Sequence, residues 1–248
     1  MSTISIFNTA EGFALASDGR SSDTDGRTLT EDAQKIFPIG GLGTHLAYAR
    51  AGTIRIGDAT DRVLFDFDIA TANVSRDCVP SGNWFEYLNA MATSLTNQLN
   101  DVRSTSVCSL NEPLETWLFV CGFYGRNWKC AHVIFRHAAN STEATPYLHP
   151  PGFNHPFGSG KVLELVDSGD RRFRQYSEPP RNRIVTLAQA IERTRNDVRA
   201  QCDPEAMTVD ELTCRGIGGR IQMATITTSH GFRWVTGFEP ASPSTASR

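Results

Sequence analysis

Ser2, Asp18, Lys35 and Ser159 are the residues of this chain from which a reaction can be built. Ser2 follows Met1, and methionine is generally removed before a small residue. Removal would leave Ser2 with a free α-amine. A terminal Ser or Thr can attack a carbonyl with its hydroxyl while its own α-amine, whose pKa lies near neutrality, takes the proton. Most chains that begin Met-Ser are trimmed there without consequence, so the serine needs company. Asp18 follows a short apolar run in Leu-Ala-Ser-Asp-Gly-Arg. Lys35 opens a later one in Ala-Gln-Lys-Ile-Phe-Pro-Ile, and Ser159 sits in Phe-Gly-Ser-Gly-Lys. Of 24 basic residues only Lys35, Lys129 and Lys161 are lysines; the other 21 are arginines. A lysine can be buried beside an acid, donate protons and respond to its surroundings, whereas an arginine stays charged and bulky.

These residues need elements to hold them. Thr3, Ser5 and Phe7 alternate with Ile4, Ile6 and Asn8, the period of a strand. Ala10-Glu11-Gly12 turns the chain into a second strand, Phe13-Ala14-Leu15-Ala16. Residues 21–30 are polar and read as a loop or hairpin tip. Lys35-Ile36-Phe37-Pro38-Ile39 starts a strand, Gly40-Gly41-Leu42-Gly43 punctuates it, and Leu46-Ala47-Tyr48-Ala49 follows as another. Residues 53–69 are expected as a first helix. Trp84, Leu88, Met91, Leu95 and Leu99 mark one face of a second. Residues 117–123 form a buried strand, Gly125-Arg126-Asn127 a turn, and 129–135 its partner. Residues 138–156 read as irregular. Leu187, Ala190, Ile191, Thr194 and Val198 mark a third helical face, and 221–227 and 232–238 two last strands joined at Ser229-His230-Gly231.

Strands, helices, strands, helices, strands: this order lacks the strict alternation of a doubly wound parallel sheet. It suits an α+β domain of two antiparallel sheets with helices outside. A single domain over 1–239 is expected, with 240–248 a disordered tail. At 248 residues, 40% apolar and 21% charged, with net charge −3, no basic surplus recommends a nucleic-acid partner. The longest strongly apolar run has seven residues, too few to span a bilayer, and the N-terminus lacks the features of a secretory signal. Six cysteines without a CxxC pair read as reduced thiols of a cytoplasmic protein.

The segment from Ser2 to Ala51 resembles the N-terminal nucleophile hydrolases of the proteasome β-subunit type, including the bacterial HslV-like and ancestral-β-like peptidases. There a terminal Thr opens a strand, and an Asp-x-Arg or Asp-Gly motif follows sixteen residues later. Ser2 to Asp18 has that spacing, Arg20 completes Asp-Gly-Arg, and Lys35-Ile36 matches the family's lysine with one residue inserted. Residues 118–125 are similar to the family's mid-chain strand and turn. Gly158-Ser159-Gly160 is similar to its Gly-Ser-Gly at a helix start, and Gly218-Gly219-Arg220-Ile221 to the opening of its last strands. The resemblance implies a four-layer αββα sandwich and hydrolysis of a peptide or amide in a homo-oligomeric ring or helical stack. It implies Ser2 as nucleophile, Lys35 as the cation that lowers its proton affinity, and Asp18 as the lysine's anchor. Ser159 would bond near the α-amine and the catalytic water, and Ser22 would pair main chain with an extended substrate. It implies neither cofactor nor metal, and leaves an unfoldase or accessory partner open.

The chain also departs from the family. Serine replaces threonine, whose methyl group restricts χ1. If Met1 and Ser2 left together, Thr3 would be terminal but one residue short of the spacing to Asp18. After Ala47-Tyr48-Ala49 stands Arg50, where the family has a Gly-Gly pair. Its side chain would select carboxylate-bearing substrates at the site mouth, or block it. The Asp and Ser expected before the last Gly-Gly are Cys214 and Ile217. Two alternatives therefore stand beside the peptidase: a catalytically silent ring or scaffold subunit, and a small-amide hydrolase. Cys121, Cys130, His132 and His137 match no standard zinc spacing, and both cysteines are expected as core thiols on buried strands. His149 and His155 are expected in a loop, and Arg171, Arg172, Arg174, Arg181 and Arg183 on a solvated face.

Overall fold

A computed structural model of the chain describes residues 2–22, 26–40, 44–58, 60, 62–77, 83–105, 114–138, 141–150 and 152–241. Met1, residues 41–43, Cys78, Cys108 and 242–248 of the expected tail lie outside the described residues. In chain order the first elements are β1 (Ile4–Thr9), β2 (Gly12–Ser17), β3 (Ser21–Ser22), β4 (Thr28–Thr30) and β5 (Ile36–Pro38). Next come β6 (Leu46–Gly52), β7 (Arg55–Gly57), β8 (Val63–Asp66), α1 (Phe67–Asp77), α2 (Trp84–Thr105), β9 (Leu114–Tyr124), β10 (Asn127–His137) and β11 (Thr142–His149). The last are β12 (His155–Phe157), α3 (Gly160–Ser168), α4 (Leu187–Cys202), α5 (Pro204–Val209), α6 (Glu211–Cys214), β13 (Gln222–Thr227) and β14 (Gly231–Trp234). The architecture is α+β with antiparallel sheets. The chain divides into two compact units, one of residues 1–37 with 152–248 and the other of 38–151. Among the described residues no helix is long and apolar enough to cross a membrane.

The first unit is built on a five-stranded sheet in the order β12-β1-β2-β13-β14. Its central strands are small and β-branched, and one face is covered by α4. Phe7 and Ala14 pack on Ala190, and Ala16 packs on Val198 and Met223. Helix α4 starts where Thr186 accepts from Gln189 N while the Gln189 side chain returns to the Thr186 N–H, a complete capping box. Beneath it a buried ion network ties the helix to β1. Asp197 takes Arg193 Nε at 2.8 Å, Arg181 Nη2 at 3.0 Å and the Ser5 hydroxyl at 2.8 Å. Arg181 also lies 5.3 Å over the Phe7 ring. Of the expected solvated arginines, Arg181 is thus a structural member of the fold.

The second unit carries the sheet ordered β11-β10-β9-β6-β5, whose last strand lies at the unit boundary. The β9–β10 hairpin pairs eleven residues on each side, from Asn127 opposite Tyr124 to His137 opposite Leu114. Trp84, Leu88, Met91, Leu95 and Leu99 are all buried along α2, as their spacing predicts. Two expectations fail here. Residues 53–69 are not one helix but the β7–β8 hairpin followed by the start of α1. Asp58 Oδ1 accepts from Thr60 N at 2.8 Å and Arg62 N at 3.3 Å and turns the chain. Asp66 then accepts from Asp68 N at 2.9 Å and so opens the helix. Residues 138–156 are not irregular, because β11 and β12 lie there. Pro146 is tolerated since β11 is the edge of its sheet.

Candidate active site

The N-terminal strand, the end of β2 and the stretch before β5 meet at Asp18. Its carboxylate is fully buried and surrounded by donors. Lys35 Nζ lies 2.7 Å from Oδ1 and Thr3 N 2.9 Å from the same oxygen. Gly218 N lies 3.1 Å from Oδ2 and Arg20 N 3.3 Å from it. Four donors around one carboxylate offset the cost of its burial. Lys35 is 1% exposed, and its ammonium reaches past Asp18 to the Ser2 hydroxyl at 3.0 Å. Ser2, Lys35 and Asp18 are therefore in direct contact in that order. A fixed cation this close favours the ionised form of a hydroxyl.

The two glycines before β13 hold this arrangement from below. The Gly218 carbonyl accepts from Gly19 N at 3.0 Å and Arg20 N at 2.8 Å. Arg220 N donates to Glu31 O at 2.8 Å. At Gly219, with φ +77°, an added Cβ would come within 2.4 Å of Glu31 O, so no side chain fits this position. The Arg20 side chain closes the corner on Glu31 and on Ile217 O.

Ser159 is connected to these residues indirectly. It caps α3 through Val162 N at 3.3 Å, and its hydroxyl donates to Asp210 Oδ2 at 2.7 Å. Its main-chain N–H donates to Gln201 Oε1 at 2.6 Å. Gln201 Nε2 donates to the Thr3 hydroxyl at 2.6 Å, and Thr3 N bonds Asp18. The Thr3 hydroxyl is also engaged with Phe157 O at 2.9 Å. Of the two N-terminal hydroxyls, the one facing the lysine is that of Ser2.

Gln201, Asp210 and the amide of Thr3 were not singled out from the sequence. Asp210 had a signal, since it is an N-cap aspartate ahead of Glu-Leu-Thr-Cys. It supplies a carboxylate to Ser159 four residues before Cys214. Gln201 extends the stripe Thr194, Val198 by three residues and is buried on it. A cleft of about 350 Å3 shares Arg20, Gln201 and Gly218 with the network and is also lined by Cys202 and Cys214. Burial pushes the Cys202 thiol up to about 12 and raises Cys214 as well. Both stay protonated near neutral pH and are poor nucleophiles.

Ser22 lies half-buried in β3, opposite Thr28 in a two-stranded ladder with β4. Arg50, in the second unit, is 5% exposed and forks onto Asp68 of α1 through Nε at 2.6 Å and Nη2 at 2.8 Å. Its guanidinium is committed to that carboxylate. Cys121 and Cys130 are buried opposite each other in β9 and β10. His137 is buried between the hydroxyls of Thr116 at 2.9 Å and Thr142 at 3.0 Å. His132 bonds His149 at 2.8 Å. His149 and His155 both stand on strands, not in a loop. Among the described residues no three His, Cys, Asp or Glu side chains gather as a metal site.

No family model and no curated protein matches the sequence. Among solved structures the chain is similar to Anbu (ancestral beta-subunit) from Yersinia bercovieri, with 13% identity and a TM-score of 0.54 over 96% of this chain and 89% of that one. It is similar to an Anbu (Gly-1) mutant from Hyphomicrobium sp. strain MC1, with 10% identity and a TM-score of 0.55 over 96% and 89%. Eukaryotic HslV from Trypanosoma brucei aligns at 13% identity and a TM-score of 0.47 over 91% and 99%. The Anbu likeness shows the fold, which this chain shares over 96% of its length.

Proposed function

We propose that the chain is a proteasome-like N-terminal nucleophile hydrolase that cleaves peptide or amide bonds with Ser2, once Ser2 is the first residue. The observation that carries this reading is the buried lysine. Its ammonium lies 3.0 Å from the Ser2 hydroxyl and 2.7 Å from Asp18. In this reading the Ser2 hydroxyl attacks the carbonyl carbon and its proton passes to the Ser2 α-amine. Lys35 offsets the negative charge that grows on the attacking oxygen. The protonated amine gives its proton to the leaving nitrogen, and the amide becomes an ester on Ser2. Water then hydrolyses the ester, with the α-amine again as base. Asp18 holds the lysine throughout. Ser159, with Asp210, fixes the wall next to Thr3. Ser22 offers main-chain groups to an extended peptide. Arg50 enters as a specificity residue only if Asp68 releases it. The working form is a homo-oligomer, and light scattering that returned a monomer would favour the small-amide hydrolase instead.

The test is labelling by an electrophilic peptide on protein whose mass shows Ser2 as the first residue. A single adduct mapped to Ser2 is expected. An adduct on Thr3 or Cys214 would mean another nucleophile, and a folded protein that takes no label would be the silent scaffold.

A further inference from the structure

We propose that Gln222 is a positioning residue for Lys35, an inference that rests on the Ser2 reading above. Lys35 lies between β4 and β5, outside the strands. A buried side chain holds the main chain there. Gln222, fully buried on β13, accepts from Lys35 N through Oε1 at 3.3 Å and donates to Ala33 O through Nε2 at 3.0 Å. The amide thus grips the main chain on both sides of Gln34. Gln222 itself is paired with Ser17, the neighbour of Asp18, in the β2–β13 ladder. The same rigid sheet therefore holds both ends of the ion pair: Asp18 directly and Lys35 through Gln222. Ala33 N completes the link by donating to Gly19 O at 2.7 Å.

The chemistry of an amide is required here, since one group must both accept and donate. A glutamate in its place accepts from Lys35 N but, when ionised, has no proton for Ala33 O, and it adds a buried negative charge against the Lys35 main chain. A methionine keeps the length and does neither. A lysine side chain has four rotatable bonds, and its head stays between Ser2 and Asp18 only while its Cα is held. A displacement of about 1 Å at a reacting group costs about a hundred-fold in rate.

The experiment compares wild type, Gln222→Met and Gln222→Glu, each with Ser2 as first residue. It reads the acylation rate at saturating electrophilic peptide, the concentration for half-saturation, the pH profile and amide hydrogen exchange. Gln222→Met is expected to slow acylation about ten- to a hundred-fold per folded molecule with half-saturation unchanged. The Lys35 amide should exchange faster while those of β1 and β2 do not. Gln222→Glu is expected to move the acidic limb of the rate to higher pH, because the added carboxylate raises the proton affinity of the site. It also stands in if the methionine variant does not fold. Folded variants with wild-type rate, pH profile and Lys35 exchange would overturn the proposal. If wild type takes no label on Ser2, the catalytic reading fails alone. Lys35 exchange in the variants then still decides whether Gln222 holds the lysine.

Discussion

Lys35 Nζ and Asp18 Oδ1 stand 2.7 Å apart with their side chains 1% and 0% exposed, so each is the other's condition for being buried. Removing one partner strands the other's charge. Asp18→Asn keeps the shape but turns two donors toward Gly218 N and Arg20 N, which are donors themselves. It should cost about 3–5 kcal/mol in urea unfolding. Lys35→Met should cost as much, because Asp18 loses its counter-ion. Either variant unfolding within about 1 kcal/mol of wild type would show that the pair is not the keystone of this corner.

Ser2 and Thr3 make a sharper comparison. Ser2→Ala should abolish labelling, and it should cost about 1–3 kcal/mol because it takes one of the acceptors of the buried Lys35 ammonium, which keeps Asp18. Thr3→Val should leave Ser2 in place but remove one of the two acceptors of Gln201 Nε2, which keeps Asp197 O at 3.3 Å, and the hydroxyl that donates to Phe157 O. A buried donor left unmet costs about 1–3 kcal/mol, read as a lowered melting temperature. Ser2→Thr is the control: its extra methyl restricts χ1 without removing the nucleophile, so labelling should persist.

The Ser2, Asp18 and Lys35 contact was legible through the family resemblance, with the scarcity of lysine drawing attention to Lys35; the sixteen-residue spacing spans two paired strands and their turn. Helix α2 was legible because its apolar stripe keeps one period for four turns. The β7–β8 hairpin was not, since its turn depends on Asp58 capping its own loop. Gln201 and Gln222 escaped notice for another reason. A buried glutamine that bonds main chain has no complementary residue to reveal it in a sequence. Arg50 read as a site residue because it stands where the resembled family has a Gly-Gly pair, and nothing in the sequence links it to Asp68, eighteen residues on.

Gly158 is required where Thr3 and Gln201 meet. It has φ +133°, and an added Cβ would fall 2.0 Å from Gln201 Oε1. Gly158→Ala should therefore expel the amide and cost about 1–3 kcal/mol from backbone strain alone. It should also slow labelling of Ser2, since Gln201 no longer ties Ser159 to Thr3. Calorimetry and the labelling rate measure the two effects in one preparation.

Arg50 and Asp68 test whether the arginine serves the fold or the substrate. Burial raises the Asp68 pKa, and Arg50 opposes that shift. Arg50→Met leaves the carboxylate without its fork and should destabilise the chain by about 3 kcal/mol. Lost preference for acidic substrates without lost stability would return the guanidinium to substrate binding.

His137 sets the last prediction, on pH. Burial, with a smaller contribution from Arg103, lowers its pKa to about 4 from an ordinary 6.5. In the unfolded chain the imidazole binds a proton near its ordinary value, while in the folded chain it stays neutral between Thr116 and Thr142. Between these two values the unfolded state holds more protons, so stability rises with pH there. The contribution is complete above about pH 6.5 and lost by about pH 4. His132 is also lowered to about 4 and adds a second slope of the same sign. Urea unfolding at pH 7, 6 and 5 should show this fall, and His137→Gln, which titrates nowhere, should flatten it by one proton. An unchanged slope in His137→Gln would mean that the imidazole is charged in the fold.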